Sequence, residues 1–91
     1  MANGSVVVWL PGALLRLFPG AEGRVDLAAA TVSEVMDGLD RRWPGMRARL
    51  CDETPAIRRH ISVFVDGNRQ PLDAPLRPGA EVFILTAISG G

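Results

Sequence analysis

The sequence contains no lysine and has only one cysteine and one histidine. All ten basic residues are arginine, and ten acidic residues balance them, so the formal net charge is zero at pH 7. This neutrality argues against a dedicated nucleic-acid binder, which needs an excess of positive charge for the phosphates. Cys51 and His60 cannot by themselves build a zinc site or an internal disulfide. We therefore expect no metal site and no nucleic-acid partner.

The sequence also lacks a long hydrophobic run. No stretch approaches the roughly 18 apolar residues that a transmembrane helix needs. The apolar run near the N-terminus stops at Pro11-Gly12, and no basic region precedes it, which is unlike a signal peptide. We expect a soluble cytoplasmic protein with no membrane partner.

What is present is the composition of a small globular protein. The 91 residues are 47% hydrophobic and 22% charged, which is enough apolar material for one core but too short a chain for two. Repeats, low-complexity tracts and linker-like segments are missing. We expect residues 1–87 to form a single domain and residues 88–91 to form a flexible C-terminal tail.

One amphipathic helix is clearly marked in the sequence. Thr31-Val-Ser-Glu34 is a capping box, in which the threonine hydroxyl accepts from a backbone N–H and the glutamate reaches back. Apolar residues then recur at helical spacing, and Pro44-Gly45 ends the pattern. The apolar positions are Val32, Val35, Met36, Leu39 and Trp43. A short extra turn is expected over 46–51.

Strand patterns lie on both sides of this helix. They cover residues 5–11, 24–28, 61–65 and 81–87, with a brief edge strand within 68–72 and a hairpin turn at Asp66-Gly67. A long connection joins the first two strands. This order predicts an α+β fold of the β-grasp (ubiquitin-like) type, with a mixed four- to five-stranded sheet and one main helix across one face. The first and last strands then lie side by side in the middle of the sheet.

The sequence ends in Gly90-Gly91, directly after the last strand pattern. Glycine has no Cβ, so a Gly-Gly tail can pass through a channel too narrow for any side chain. By itself the dipeptide is better explained by a frayed terminus or a cloning remnant. Its place after a β-grasp pattern favours a chemical role for the terminal carboxylate.

At this point the chain resembles the MoaD/ThiS-type sulfur-carrier proteins, the prokaryotic relatives of ubiquitin. The residues that carry the resemblance are 63–67, 78–84 and 88–91, which read VFVDG, PGAEVFI and ISGG. Within the family the chain looks most similar to the cysteine-biosynthesis (CysO-like) carriers, through residues 59–65 and 6–20. The similarity covers essentially the whole chain, and its last third is the specific part.

The resemblance implies a carrier and not an enzyme. It implies that Gly91 is adenylated by a ubiquitin-activating-like enzyme that uses ATP, and that a sulfur donor or sulfurtransferase converts it to a thiocarboxylate. A sulfur-accepting biosynthetic enzyme would then take the sulfur, and the chain itself would hold no cofactor. The tail inserted into partner active sites would be Ile88, Ser89, Gly90 and Gly91.

One departure from the family concerns the destination of the sulfur. Members of the molybdopterin branch commonly have Pro-Pro before the tail, where this chain has Thr86-Ala87. This puts a molybdopterin role in doubt and leaves cysteine, thiamine-type or secondary-metabolite pathways open. The sequence does not name the acceptor.

Strand alternation predicts a partner interface on the sheet face away from the helix. If the branched residues of the central strands point inward, the large apolar residues point outward. These are Trp9, Phe64, Phe83 and Leu85. A bulge that shifts the alternation, or a loop that covers these residues, is the alternative.

Two other functions stay open at this stage. The chain is alternatively a ubiquitin-like modifier joined through Gly91 to lysines of target proteins, or a plain interaction module with a passive tail. Cys51 is interpreted as an apolar core residue and not a sulfur relay, and His60 as structural. Arg58-Arg59 is either a basic patch for an acidic partner or a solvated loop.

Overall fold

Five strands form one mixed sheet in the computed structural model, which describes residues 4–87. The strands are β1 (Ser5–Trp9), β2 (Arg24–Ala28), β3 (Ile61–Val65), β4 (Asn68–Arg69) and β5 (Glu81–Thr86). They lie in the order β2-β1-β5-β3-β4. The central β1–β5 pair is parallel, and the other three pairs are antiparallel. The predicted β-grasp fold, with its first and last strands adjacent, is confirmed.

The main helix α2 (Val32–Arg42) begins at the predicted capping box. The Glu34 amide donates to Thr31 Oγ1 at 3.1 Å, and the Ala30 amide donates to Glu34 Oε1 at 2.7 Å. The glutamate therefore reaches one residue further back than the usual box, and it still satisfies a free N–H group at the helix start. All four apolar positions from Val32 to Leu39 are buried, as the spacing predicts.

Two short helices accompany α2. The helix α3 (Met46–Leu50) matches the turn expected there. The helix α1 (Gly12–Leu17) was not predicted, and it lies in the long connection expected between the first two strands. α1 spans only six residues, has no side-chain cap, and buries Leu14 alone. A helix this short shows too little apolar periodicity to be distinguished from a loop.

The core lies between α2 and one face of the sheet. Alternate residues of the central strands are fully or almost fully buried, which are Val6, Val8, Val63, Val82 and Ile84. α2 approaches β2 closely because residue 38 is glycine, and a Cβ there would lie 3.3 Å from the Leu27 side chain. The opposite residues of each strand face away from the helix.

The β3–β4 hairpin turns through Asp66 and Gly67, both with positive φ, at 49° and 91°. Glycine adopts this backbone conformation at no steric cost, and a two-residue turn of this kind matches the twist of the strands. The predicted hairpin is therefore confirmed. Within residues 4–87, no helix is both long and apolar enough to cross a membrane.

The burial pattern predicts unequal effects for two leucine truncations. Leu39 is fully buried on α2, whereas Leu17 is 49% exposed on α1. We expect Leu39→Ala to lower the free energy of unfolding by about 2–5 kcal/mol, because it leaves a cavity. Leu17→Ala changes it by less than about 0.5 kcal/mol. Urea denaturation of both variants measures this, and equal losses would contradict the placement of the core.

Candidate functional site

The sheet face opposite α2 carries a cluster of large side chains, which we call the open face. It consists of Trp9, Arg24, Phe64, Phe83 and Leu85. Phe83 and Leu85 are 36% and 46% exposed, which is unusual for side chains of this size in the middle strand of a sheet. Contiguous exposed apolar side chains of this kind mark surfaces that bind other proteins.

Three aromatic rings lie in a row across adjacent strands of the open face. Trp9 of β1 is the register partner of Phe83 of β5, which in turn lies opposite Phe64 of β3. The Trp9 and Phe83 rings stack with centroids 5.8 Å apart and an interplanar angle of 12°. Aromatic pairs at this distance attract each other beyond their buried area, so the row is held rigid before any partner arrives.

Arg24 closes the row on the β2 side. It is the register partner of Trp9, and its guanidinium carbon lies 5.8 Å from the centre of the Trp9 ring, a cation–π distance. Its Nε also donates to Asp26 Oδ1 at 3.2 Å. The open face therefore has an apolar centre and a charged margin, which is the usual composition of a protein interface.

The indole N–H of Trp9 has no hydrogen-bond partner. Within residues 4–87, Trp9 Nε1 is buried and unpaired, although the ring as a whole is only partly buried. A buried donor without an acceptor costs about 1–3 kcal/mol. Because the protein itself encloses Nε1, this cost belongs to the packing of Trp9 and is no evidence of a partner.

The alternation predicted from sequence agrees with the observed burial. Trp9, Phe64, Phe83 and Leu85 all lie on the side away from α2, and neither a bulge nor a covering loop hides Phe83 or Leu85. Their role in partner binding stays a prediction. Arg24 was missed, because its position over Trp9 depends on the β1–β2 register, and the long connection left that register open.

Beyond the aromatic row, β5 continues to the end of the sheet where β3 begins. The Ala87 amide donates to the His60 carbonyl at 2.7 Å, so β5 stays attached to the start of β3 up to the last described residue. Three residues of strand lie between Phe83 and Ala87, which are about 13 Å apart along the strand. The predicted tail residues Ile88, Ser89, Gly90 and Gly91 lie outside the described residues.

Cys51 and His60 show no arrangement for catalysis. Cys51 is buried, and this desolvation raises the pKa of its thiol, which keeps it protonated and a poor nucleophile. His60 is exposed, and it is its backbone carbonyl that holds Ala87. Within the part of the chain that the structure describes, no three metal-ligating side chains lie together.

Two aspartate substitutions on neighbouring residues of β5 test the orientation of the sheet. Phe83→Asp places the charge on the open face, where water solvates it, so the chain still folds. Ile84→Asp places the same charge in the core, where an unpaired carboxylate cannot be solvated, and we expect it to unfold the protein. Circular dichroism and thermal melting measure whether each variant folds. Unfolding of the Phe83→Asp variant would show that Phe83, and not Ile84, points into the core.

Comparison with known proteins gives a family match over most of the chain. The model of the ThiS family matches residues 8–91. A search of curated proteins gave no significant match.

Several solved structures share the fold over nearly their full length. A chain of the Amycolatopsis orientalis BexX/CysO complex is 34% identical, with a TM-score of 0.83 over 94% of this chain and 99% of that one. Mycobacterium tuberculosis CysO is 25% identical, with a TM-score of 0.79 over 91% of this chain and 99% of that one. The small archaeal modifier protein 1 of Methanosarcina acetivorans is 25% identical, with a TM-score of 0.76 over 100% of both chains.

Proposed function

The chain belongs to the ThiS family, whose members are small ubiquitin-like sulfur carriers and not enzymes, and we propose that it carries its sulfur as a thiocarboxylate on Gly91. The observation that most supports this assignment is the family match, which extends through the final Gly90-Gly91.

The proposed chemistry has two steps. A carboxylate is unreactive at neutral pH, so an activating enzyme first joins the Gly91 carboxylate to the AMP portion of ATP and releases pyrophosphate. Hydrosulfide from the donor then attacks the carbonyl carbon of this mixed anhydride and loses its proton, and AMP leaves. Where the nucleophile is a persulfide of a sulfurtransferase, the product is an acyl disulfide, and a second thiol of the sulfurtransferase cleaves it to release the thiocarboxylate and form a disulfide on that enzyme. The resulting thiocarboxylate is a better nucleophile than the carboxylate, and it delivers sulfur to the acceptor. ATP is thus consumed by the partner, and this chain needs no bound cofactor.

In this proposal the tail brings the Gly91 carboxylate into the partner's active site, and the open face is the surface that the partner binds. Glycine at positions 90 and 91 presents only backbone, so a partner can enclose the reacting carbonyl closely. We propose that the activating enzyme recognises the carrier through Trp9, Phe64, Phe83 and Leu85. The CysO of A. orientalis, in complex with BexX, is an example of a similar protein bound to a protein partner.

Cysteine biosynthesis is the destination we favour for the sulfur. The similarity to two CysO chains supports it. Thr86-Ala87, in place of the Pro-Pro of the molybdopterin branch, makes that branch the least favoured destination. Thiamine-type and secondary-metabolite pathways are the remaining destinations.

A second candidate function is conjugation to other proteins. The similarity to an archaeal modifier protein favours it, since that protein is named for this role. In this alternative the activated Gly91 carbonyl is attacked by a lysine amine of a target. The chain has no lysine of its own, so it cannot form chains through lysine linkages.

Intact-mass spectrometry of the protein from its own cells distinguishes these functions. The carrier function predicts a species heavier than the unmodified chain by the difference between one sulfur and one oxygen atom. The modifier function predicts unmodified carboxylate together with targets whose lysines carry, after trypsin digestion, a remnant peptide of this chain that begins after Arg69 or Arg77 and ends at Gly91. Finding neither the thiocarboxylate nor the remnant, during growth that requires the pathway, would contradict both.

The role of the open face is tested separately by Phe83→Asp. We expect thiocarboxylate formation with the cognate activating enzyme to slow by at least about tenfold, since a charge in the centre of an interface is strongly unfavourable. Leu17→Asp is the matched control, because it introduces the same charge at an exposed apolar residue of α1. Equal rates for the two variants would exclude the open face as the docking surface.

A further inference from the structure

A groove of about 820 Å³ lies along the outer edge of β3. Its walls are the loop 55–59 and the segment 69–73. The apolar side chains that line it include Ile57, Ile61 and Leu72, of which Ile57 and Leu72 are only partly buried. A concave site of this volume accommodates a few side chains of a bound peptide.

The groove exists because β4 is too short to cover β3. Pairing is limited to Phe64 with Arg69 and Val65 with Asn68, followed by one bond from the Gln70 amide to the Val63 carbonyl at 2.9 Å. Pro71 has no N–H to continue the ladder. The chain then turns towards α2, where the Ser33 amide donates to the Leu72 carbonyl at 2.8 Å.

The first half of β3 therefore has no strand paired to its outer edge in the described structure, where the Ile61 amide donates to the Arg58 carbonyl at 2.9 Å. The Val63 carbonyl points to the β4 side, and the His60 carbonyl points to β5, where it accepts from Ala87. Backbone groups alternate along a strand, so the Ile61 carbonyl points to the same side as that of Val63. An extended peptide lying in the groove can donate a backbone N–H to Ile61 and add a short strand to the sheet.

Three arginines line the groove, and they set its charge. Within residues 4–87, none of the ion pairs involves Arg58, Arg59 or Arg69. Arg58 is partly held by a bond from its Nε to the Ala48 carbonyl at 2.9 Å, whereas the other two side chains are exposed. Asp73 is the acidic residue of the lining. The groove thus has an apolar floor and an excess of positively charged side chains in its lining.

We propose that this groove binds an extended, acidic segment of a partner protein, anchored by an apolar side chain. The apolar floor fits the anchor, the edge of β3 that has no paired strand fits an extended backbone, and the unpaired guanidinium groups fit flanking carboxylates. Guanidinium–carboxylate pairs are the strongest of the common side-chain pairs, so they set the charge preference of the site. The groove lies on the other side of β3 from β5, and Arg69, the register partner of Phe64, lies where the groove meets the margin of the open face. This inference does not depend on any reaction at Gly91.

Binding is tested with a defined probe, a fluorescein-labelled peptide of sequence Glu-Val-Ile-Val-Asp-Glu. We expect saturable binding in fluorescence anisotropy, with NMR amide shifts confined to residues 55–63 and 69–73. Replacing the acids of the probe with their amides, or its isoleucine with alanine, weakens binding. Higher salt weakens it as well, since screening reduces exposed charge interactions.

A charge-reversed chain and a matched control locate the site. The double variant Arg59→Glu and Arg69→Glu lowers affinity for the probe by at least about tenfold, because two attractive contacts become repulsive. The control is Arg16→Glu with Arg41→Glu, which makes the same change in net charge at exposed positions outside the groove. We expect the control to retain affinity within about threefold. Thermal melts confirm that both variants fold.

Three results would overturn the proposal. One is the absence of probe binding at millimolar concentration, and another is an equal loss of affinity in the two double variants. The third is a large gain in affinity when residues 88–91 are removed, which would make the chain's own tail the occupant of the groove. Each measurement uses the isolated carrier without ATP or enzyme, so a failure here leaves the sulfur-carrier proposal unaffected.

Discussion

The parallel pairing of β1 with β5 joins the beginning and the end of the chain at the centre of the sheet, and the partner-facing features follow from this pairing. Val8 pairs with Val82 on the core side, and Trp9 pairs with Phe83 on the open side. Because alternate residues of a strand face opposite sides, one register decides both which residues form the core and which lie on the open face.

The helix and the strands were predictable because each has a strong local signal. The capping box at Thr31 defines where α2 begins, and alternation in β3 and β5 separates Val63 and Ile84 from Phe64 and Phe83. Local patterns of this kind express the same preferences that the packed structure satisfies. The fold and the four apolar members of the open face were therefore accessible from sequence alone.

What the sequence did not reveal depends on contacts between distant segments. α1 is too short to show periodicity, and the position of Arg24 over Trp9 requires the register between β1 and β2. The groove at the outer edge of β3 depends on where β4 stops pairing, and its arginines come from two segments about ten residues apart along the chain. The position of Arg24 and the groove therefore both arise from the tertiary arrangement and not from residue type.

The neutral net charge conceals two surfaces of different chemistry. The open face is apolar at its centre, whereas the groove beside Arg59 and Arg69 is basic, and the two surfaces adjoin where Arg69 pairs with Phe64. A carrier must meet at least an activating protein and an acceptor, and two unlike surfaces allow these partners to be recognised by different contacts. The absence of lysine leaves no internal side-chain amine to compete for an activated carbonyl at Gly91.

The central claim is that Gly91 is the group that becomes activated, and ATP–pyrophosphate exchange tests it most directly. The cognate activating enzyme is incubated with ATP, labelled pyrophosphate and either the full chain or a chain that lacks Gly91. Exchange of label into ATP requires a carboxylate that forms an adenylate reversibly. We predict exchange that depends on the full chain and is lost without Gly91. Exchange that persists at the same rate with the shortened chain, or that never depends on the carrier, would contradict the claim.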